Sequence, residues 1–222
     1  NFNDLLRIFK NHKFDGIFHL GAQSQVLKAY KSPYETFQTN VVGTLNFLEI
    51  LRKKNINIPF LYSSSDRAYG ELHKSFYYED DKLNAFFPYD ASKSTSDLIC
   101  QSYSKTYKLK IGIIRSVNIF GECDFNLKRI VPETIISILK NKKLQIRSSG
   151  KQKRDYIYVD DACRTMLTYD QKGWIEHYLM SDRASLQNSQ GCVAGIPAIY
   201  GCTTPLACNH NSAANVDDGS CD

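Results

Sequence analysis

Apolar positions along the chain fall into two alternating rhythms. Leu5, Leu6, Ile8 and Phe9 repeat at helical spacing over 2–13. A compact apolar run, Gly16-Ile17-Phe18-His19-Leu20, follows and stops at Gly21, the pattern of a buried strand and its turn. Phe37, Val41, Leu45, Leu48 and Leu51 then mark one face of a long helix over 34–54. The rhythm repeats downstream: a strand at 58–62, a helix over 90–108, a strand at 111–114, a helix over 130–141, a short strand at 144–146, and a strand at 156–159 leading into a helix that opens at Asp160-Asp161. Strands alternating with helices predict an α/β fold, a Rossmann-like doubly wound parallel sheet with helices on both faces.

Beyond 169 the rhythm stops. Residues 170–199 show no sustained period and read as a linker. Residues 200–222 are rich in turn formers, poor in core formers, and form an irregular Cys-rich tail. The expected organisation is thus 1–169 as a partial dinucleotide-binding domain, 170–199 as linker and 200–222 as tail.

Polar residues gather directly after the strands, at His19–Gln23, Ser63–Asp66 and Arg115–Asn118. Open α/β sheets bind ligands outside the carboxyl ends of their strands. The hexapeptide Pro88-Tyr89-Asp90-Ala91-Ser92-Lys93 places a phenol and an ammonium on one face at the start of a helix. A phenol has pKa ~10, and a neighbouring cation lowers it, so this spacing fits a proton-transfer group. It also fits an exposed helix pair. A second match, Tyr78 with Lys82, lies in a polar stretch without periodicity and reads as a solvated loop.

Composition narrows the classes. With 222 residues, 42% apolar and 23% charged, the chain suits one globular domain with an appendage. A net charge of +5 is spread in short clusters, without the dense stripe or motif of a nucleic-acid reader. No apolar run is long enough to span a bilayer. Cys100, Cys123 and Cys163 are isolated, as in a reduced cytoplasmic domain. Cys192, Cys202, Cys208 and Cys221 crowd the end, which points weakly to secretion, and no Cys-x-x-Cys suggests a metal.

Together, His19-Leu20-Gly21-Ala22-Gln23, Thr39-Asn40-Val41-Val42-Gly43-Thr44, Ser64-Ser65-Asp66-Arg67-Ala68-Tyr69-Gly70, the Tyr89 hexapeptide, Arg115-x-x-Asn118-Ile119-Phe120-Gly121 and Arg154-Asp155-Tyr156-Ile157-Tyr158-Val159-Asp160-Asp161 resemble the extended short-chain dehydrogenase/reductases, the sugar-nucleotide epimerases and dehydratases. The resemblance covers about 4–169 and leans toward nucleotide-sugar 4,6-dehydratases of the CDP-glucose type. It implies NAD as cofactor, a nucleotide-sugar substrate and a homodimer.

By that resemblance Tyr89 takes the 4-hydroxyl proton while C4 gives hydride to NAD, Lys93 lowers the phenol's pKa and contacts the nicotinamide ribose, and Ser65 bonds the same oxygen. Asp66 supplies the acid for loss of water from C6, a role that 4-epimerases do not need; as a residue it is equally suited to capping a turn. Leu20, Gly21, Ala22, Asn40 and Val117 join Tyr89 and Lys93 around the cofactor. Gln23, Asn118, Arg129 and Arg154 face the substrate, with Arg129 also readable as surface charge. Arg67 cannot serve as a base, so C5 deprotonation has no assigned owner. His19, inside a strand, reads as a core histidine.

No Gly-x-x-Gly-x-x-Gly occurs in the chain. The expectation is therefore a chain that starts two βα units into the fold, leaves the strand at 16–20 as an exposed edge, and binds NAD weakly and without turnover. The tail resembles a short cysteine repeat of secreted surface proteins. Two alternatives stand beside the dehydratase: a 4-epimerase of the same family, and a non-catalytic scaffold or secreted module in which the tail matters.

Overall fold

The computed structural model describes residues 1–70, 76–146, 150, 154–172, 177–179, 200–201 and 216–217, with side chains to residue 167. The chain divides into two compact units, Asn1–Met180 and Ser181–Asp222.

Unit 1 is built on a parallel sheet of four strands in the order β1-β2-β3-β6, where β1 is Ile17–His19, β2 Phe60–Ser63, β3 Ile111–Arg115 and β6 His177–Leu179. The register pairs Ile17 with Phe60, Phe60 with Ile111 and Ile113 with His177. Side chains alternate across a strand, and the apolar ones sort accordingly. Phe60, Tyr62, Ile111 and Ile113 meet Leu48, Leu51 and Cys100 on one face. Leu61 and Ile114 meet Ala162 and Met166 on the other. The helices over those faces are α4 (Gly43–Lys53) and α5 (Pro88–Tyr107) on the first and α7 (Val159–Lys172) on the second. The predicted Rossmann-like parallel sheet is therefore present. Strand β1 stands at one edge of the sheet, with Phe18 42% exposed.

Several elements differ from the sequence pattern. The long helix over 34–54 is α3 (Pro33–Phe37), a π-helical turn Gln38–Val42, and then α4; a further helix, α2 (Val26–Lys31), precedes them. The π turn adds a residue to one turn of helix, which apolar spacing does not reveal. Leu144-Gln145-Ile146 forms no strand among the described residues, and Ile146 is exposed. The segment Asn118–Phe120 (β4) instead pairs in parallel with Tyr156–Tyr158 (β5). His177–Leu179, inside the stretch that composition marks as linker, is the fourth strand of the main sheet. The remaining helices of unit 1 are α1 (Phe2–Asn11) and α6 (Ile130–Leu139).

In unit 2 the described residues form one parallel pair, β7 (Tyr200–Gly201) with β8 (Val216–Asp217). The tail cysteines lie outside the described residues. Cys100 is a free, buried thiol, and Cys123 and Cys163 are free and exposed. No helix among the described residues is long and apolar enough to cross a membrane.

Candidate active site

A cleft of about 870 Å³ opens beyond the carboxyl ends of β1, β2 and β3. Leu20 and Ala22 line it after β1, Ser65 and Asp66 after β2, and Val117 and Asn118 after β3. Tyr89 and Lys93 reach it from the first turns of α5, and Arg129 and Arg154 from the segments around β4 and β5. Helix α5 starts where it does because Pro88 occupies its first turn, where a missing N–H costs nothing, and Asp90 complements the positive end of the helix dipole.

Tyr89 is 9% exposed. Burial pushes its phenol above the ordinary value, Ser65 pulls it down, the carboxylates of Asp66 and Asp90 push it up, and Arg67 pulls it down. Lys93 makes its contacts on β2. Its Nζ donates to the Ser63 carbonyl oxygen at 2.6 Å and lies 5.1 Å from the centre of the Tyr62 ring. Burial lowers the ammonium to about 8. One of three N–H donors is spent, which leaves two.

Asp66 begins the 3-10 turn Asp66–Tyr69, whose N-cap is Ser65. Ser65 Oγ donates to Asp66 Oδ1 at 2.9 Å and accepts from the Arg67 N–H at 3.2 Å. Ser65, rather than Asp66, is therefore the cap. Burial raises the Asp66 carboxyl, opposed by Ser65, Arg67 and Arg154. The turn closes on Gly70, whose φ of 69° favours glycine. A Cβ there would run into the Asn84 carbonyl.

Two residues predicted to touch ligands are instead tied into the scaffold. Asn40 is 2% exposed; its Oδ1 accepts from the Gln23 N–H, and its Nδ2 donates to the Gln23 carbonyl and to Ser92 Oγ. Gln23 Nε2 donates to Thr36 Oγ1 and to the Gln25 carbonyl. Neither lines the cleft, and neither does Gly21, where an added Cβ would meet nothing within 4 Å. Asn40 shapes the site through the loop it fastens to α5. Asn118 donates to the Asp155 carbonyl at 3.3 Å, and Arg129 bonds Asp124 and the Ile119 carbonyl at the rim. Tyr78, of the second Tyr-x-x-x-Lys match, is 62% exposed in a loop.

His19 is a core histidine, 8% exposed, with its ring against Phe47, Phe60 and Tyr62. Its Nε2 lies 2.9 Å from Thr44 Oγ1, whose own proton goes to the Asn40 carbonyl, so the ring carries its proton on Nε2. Burial, reinforced by Lys93, lowers its pKa from 6.5 to about 4. Between those values the unfolded chain binds more protons than the folded one, so His19 stabilises the fold above pH 6.5, and that contribution is lost as pH falls toward 4. Comparing the full chain with its His19→Phe variant by urea denaturation isolates the effect. The wild type should lose about 3 kcal/mol relative to the variant between pH 7 and pH 4. A difference that stays constant with pH would refute it.

The fold is that of a Rossmann-like α/β protein with a polar cleft at the carboxyl edge of its sheet. Residues 1–178 match the NAD dependent epimerase/dehydratase family, and the chain belongs to that family. It is 31% identical over 181 residues to a dTDP-glucose 4,6-dehydratase of Salmonella typhimurium, covering 73% of this chain and 50% of that protein. A dTDP-D-glucose 4,6-dehydratase of Dictyostelium discoideum is 33% identical over 169 residues, covering 71% and 38%. The chain thus spans about half or less of the length of these relatives. They are named for dTDP-glucose, in place of the CDP-glucose type that the sequence pattern suggested.

Among solved structures, the dTDP-glucose 4,6-dehydratase of Streptomyces venezuelae with NAD and TYD bound superposes with a TM-score of 0.73 at 26% identity, covering 81% of this chain and 55% of that one. The UDP-glucose 4-epimerase of Thermotoga maritima with UDP-glucose gives 0.69 at 29% identity, covering 75% and 55%.

The donor set fits the nicotinamide-ribose end of a dinucleotide. Lys93 brings two further N–H donors to the cleft wall, and Leu20, Ala22 and Val117 supply apolar contact beside it. Several lining residues had no role in the sequence reading: Asp90, and the aromatic wall of Tyr77, Phe86 and Phe87. Asp90 and Lys93 with Asp97 form a polar stripe at helical spacing, which is the signal that would have found Asp90.

Proposed function

We propose that the protein is an NAD-dependent nucleotide-sugar 4,6-dehydratase. The observation that carries this reading is Asp66, a carboxyl that lines the same cleft as the Tyr89 phenol and is held above its ordinary pKa by burial. A carboxyl in that place can pass a proton to a departing hydroxide. The dTDP-glucose 4,6-dehydratase relatives support the reading.

Lys93, Leu20, Ala22 and Val117 would hold the nicotinamide-ribose end of NAD, which would supply a hydride acceptor for C4 and a hydride donor for C6. Tyr89, as the phenolate, accepts the proton of the 4-hydroxyl, and Ser65 orients that oxygen. The ketone formed at C4 acidifies the proton on C5, which passes to water in the cleft while its electron pair forms the C5–C6 double bond and the C6–O bond breaks. Asp66 then protonates the C6 oxygen as it leaves as water, a general-acid step. Arg154 and Arg129 suit the diphosphate because a guanidinium offers a bidentate fork, and Asn118 adds an amide donor. Lys93 holds the ribose.

The test is a product assay on the full-length protein with dTDP-glucose. A 4-keto-6-deoxy sugar, recognised by its absorbance in alkali, supports the proposal; dTDP-galactose as the product would establish the 4-epimerase instead. Asp66→Asn should lower kcat about 10²-fold with KM little changed. A variant with wild-type kcat would remove Asp66 from the mechanism.

A further inference from the structure

Two chain segments meet at the cleft, and each carries one of the groups assigned to proton transfer. Asp66 opens the turn after β2, and Tyr89 lies in the first turn of α5. The next residue of each segment belongs to one ion pair. Arg67 Nε donates to Asp90 Oδ1 at 2.7 Å and its Nη2 to Oδ2 at 2.8 Å, a two-pronged contact. The Asp90 side chain is 5% exposed and that of Arg67 35%.

We infer that Arg67 and Asp90 form a positioning pair, which clamps the Asp66 turn to the first turn of α5 and balances charge beside the Tyr89 hydroxyl. This rests on the reading of Tyr89 as the proton acceptor. Arg67 is not a base, and the Nε–Nη2 edge of its guanidinium is engaged with Asp90.

The groups that face Tyr89 define the balance. Ser65, Asp66 and Arg67 come from the turn, and Asp90 from its own helix. Tyr62 comes from β2. Arg154 acts on Asp66 from across the cleft. Lys93, also on α5, is held by the Ser63 carbonyl. Asp66 and Asp90 disfavour the phenolate and Arg67 favours it. Removing Arg67 leaves Asp90 uncompensated, while neutralising Asp90 leaves Arg67 uncompensated. The two changes must therefore displace the phenol's titration in opposite directions. A pair that only braced the fold would not do this.

The experiment uses Arg67→Met, Asp90→Asn, the double variant, and Arg67→Lys as the conservative rescue. In the full-length protein, kcat/KM for the nucleotide sugar should rise with pH through a midpoint set by Tyr89. Arg67→Met should move the midpoint up and Asp90→Asn should move it down, each on the order of one pH unit. The double variant and Arg67→Lys should lie near wild type. A second reading needs no turnover: fluorotyrosine incorporated throughout, with the Tyr89 resonance identified by its loss in Tyr89→Phe, should show the same opposite displacements by fluorine NMR. Displacements of the same sign, or none, in both measurements would overturn the pair. Opposite NMR displacements in a protein that makes no dehydrated product would instead overturn the dehydratase reading and uphold the pair.

Discussion

Replacing Tyr89 by Phe should lower turnover of the nucleotide sugar by about 10³–10⁴-fold, the upper part of the range for losing a positioned proton-transfer group. The expectation is high because every later step depends on the first proton leaving the 4-hydroxyl. The substitution is also clean. The ring stays in its buried setting, and only the hydroxyl that interacts with Ser65 is lost. Substrate affinity, supplied by Arg154, Arg129 and Asn118, should change little, so the loss should fall on kcat. The direction of the Tyr89 titration matters here. Burial and two carboxylates push the phenol up, and Lys93 Nζ donates to the Ser63 carbonyl. Only the phenolate can accept that proton, and Arg67 is a neighbour that favours it. A Tyr89→Phe protein that turns over within tenfold of wild type, by the same product assay, would sink the mechanism.

Much of the site was legible because it lies where strands end. Ser65, Asp66, Val117 and Asn118 follow β2 and β3 at once, and short apolar runs locate those ends well. Tyr89 and Lys93 were legible from Pro88 and their spacing. What escaped has a common physical cause: it is polar and buried. In helix α5 the large apolar side chains do not mark the inner face: Leu98 is 51% and Tyr107 47% exposed. Its inner face is instead Tyr89, Ser92, Lys93, Ser96, Asp97 and Cys100. Small hydroxyls there let α5 approach the π turn, where Ser92 and Ser96 bond Asn40. An apolar pattern cannot show a face whose packing rests on hydrogen bonds. Gln23 and Asn40 were assigned to ligands for the same reason: nothing in sequence says that an amide is already satisfied by a loop. β4 and β6 were missed because neither lies in a run of apolar residues, so each is specified by its partner rather than its own composition.

That buried polar face also predicts the largest stability effect. Asp97→Ala should destabilise the fold by about 3–5 kcal/mol, the cost of leaving one member of a buried ion pair behind. The Asp97 side chain is fully buried and that of Arg115 is 2% exposed. One carboxylate accepts from Arg115 Nε at 2.8 Å and Nη2 at 3.1 Å, from Ser64 Oγ at 2.8 Å and from Gln101 Nε2 at 2.8 Å. Arg115 Nη1 in turn donates to Tyr69 Oη and to the Glu79 carbonyl, each at 2.7 Å. The network ties the end of β3 and the middle of α5 to both sides of the Ser65–Asp66 turn. A guanidinium stripped of Asp97 stays charged in a dry interior, since Arg does not deprotonate. Domain stabilities are about 5–15 kcal/mol, so the variant should unfold at much lower urea. Because it risks not folding at all, the pair Asp97→Leu with Arg115→Met is the informative companion. With both charges gone, no ion is stranded, and this double variant should be more stable than Asp97→Ala alone. An Asp97→Ala protein within about 1 kcal/mol of wild type would mean that the pair contributes no more than an exposed salt bridge does. If the network sets the turn as argued, the double variant should fold yet lose turnover, because Ser64 and Tyr69, which flank Ser65 and Asp66, would then have no charged anchor.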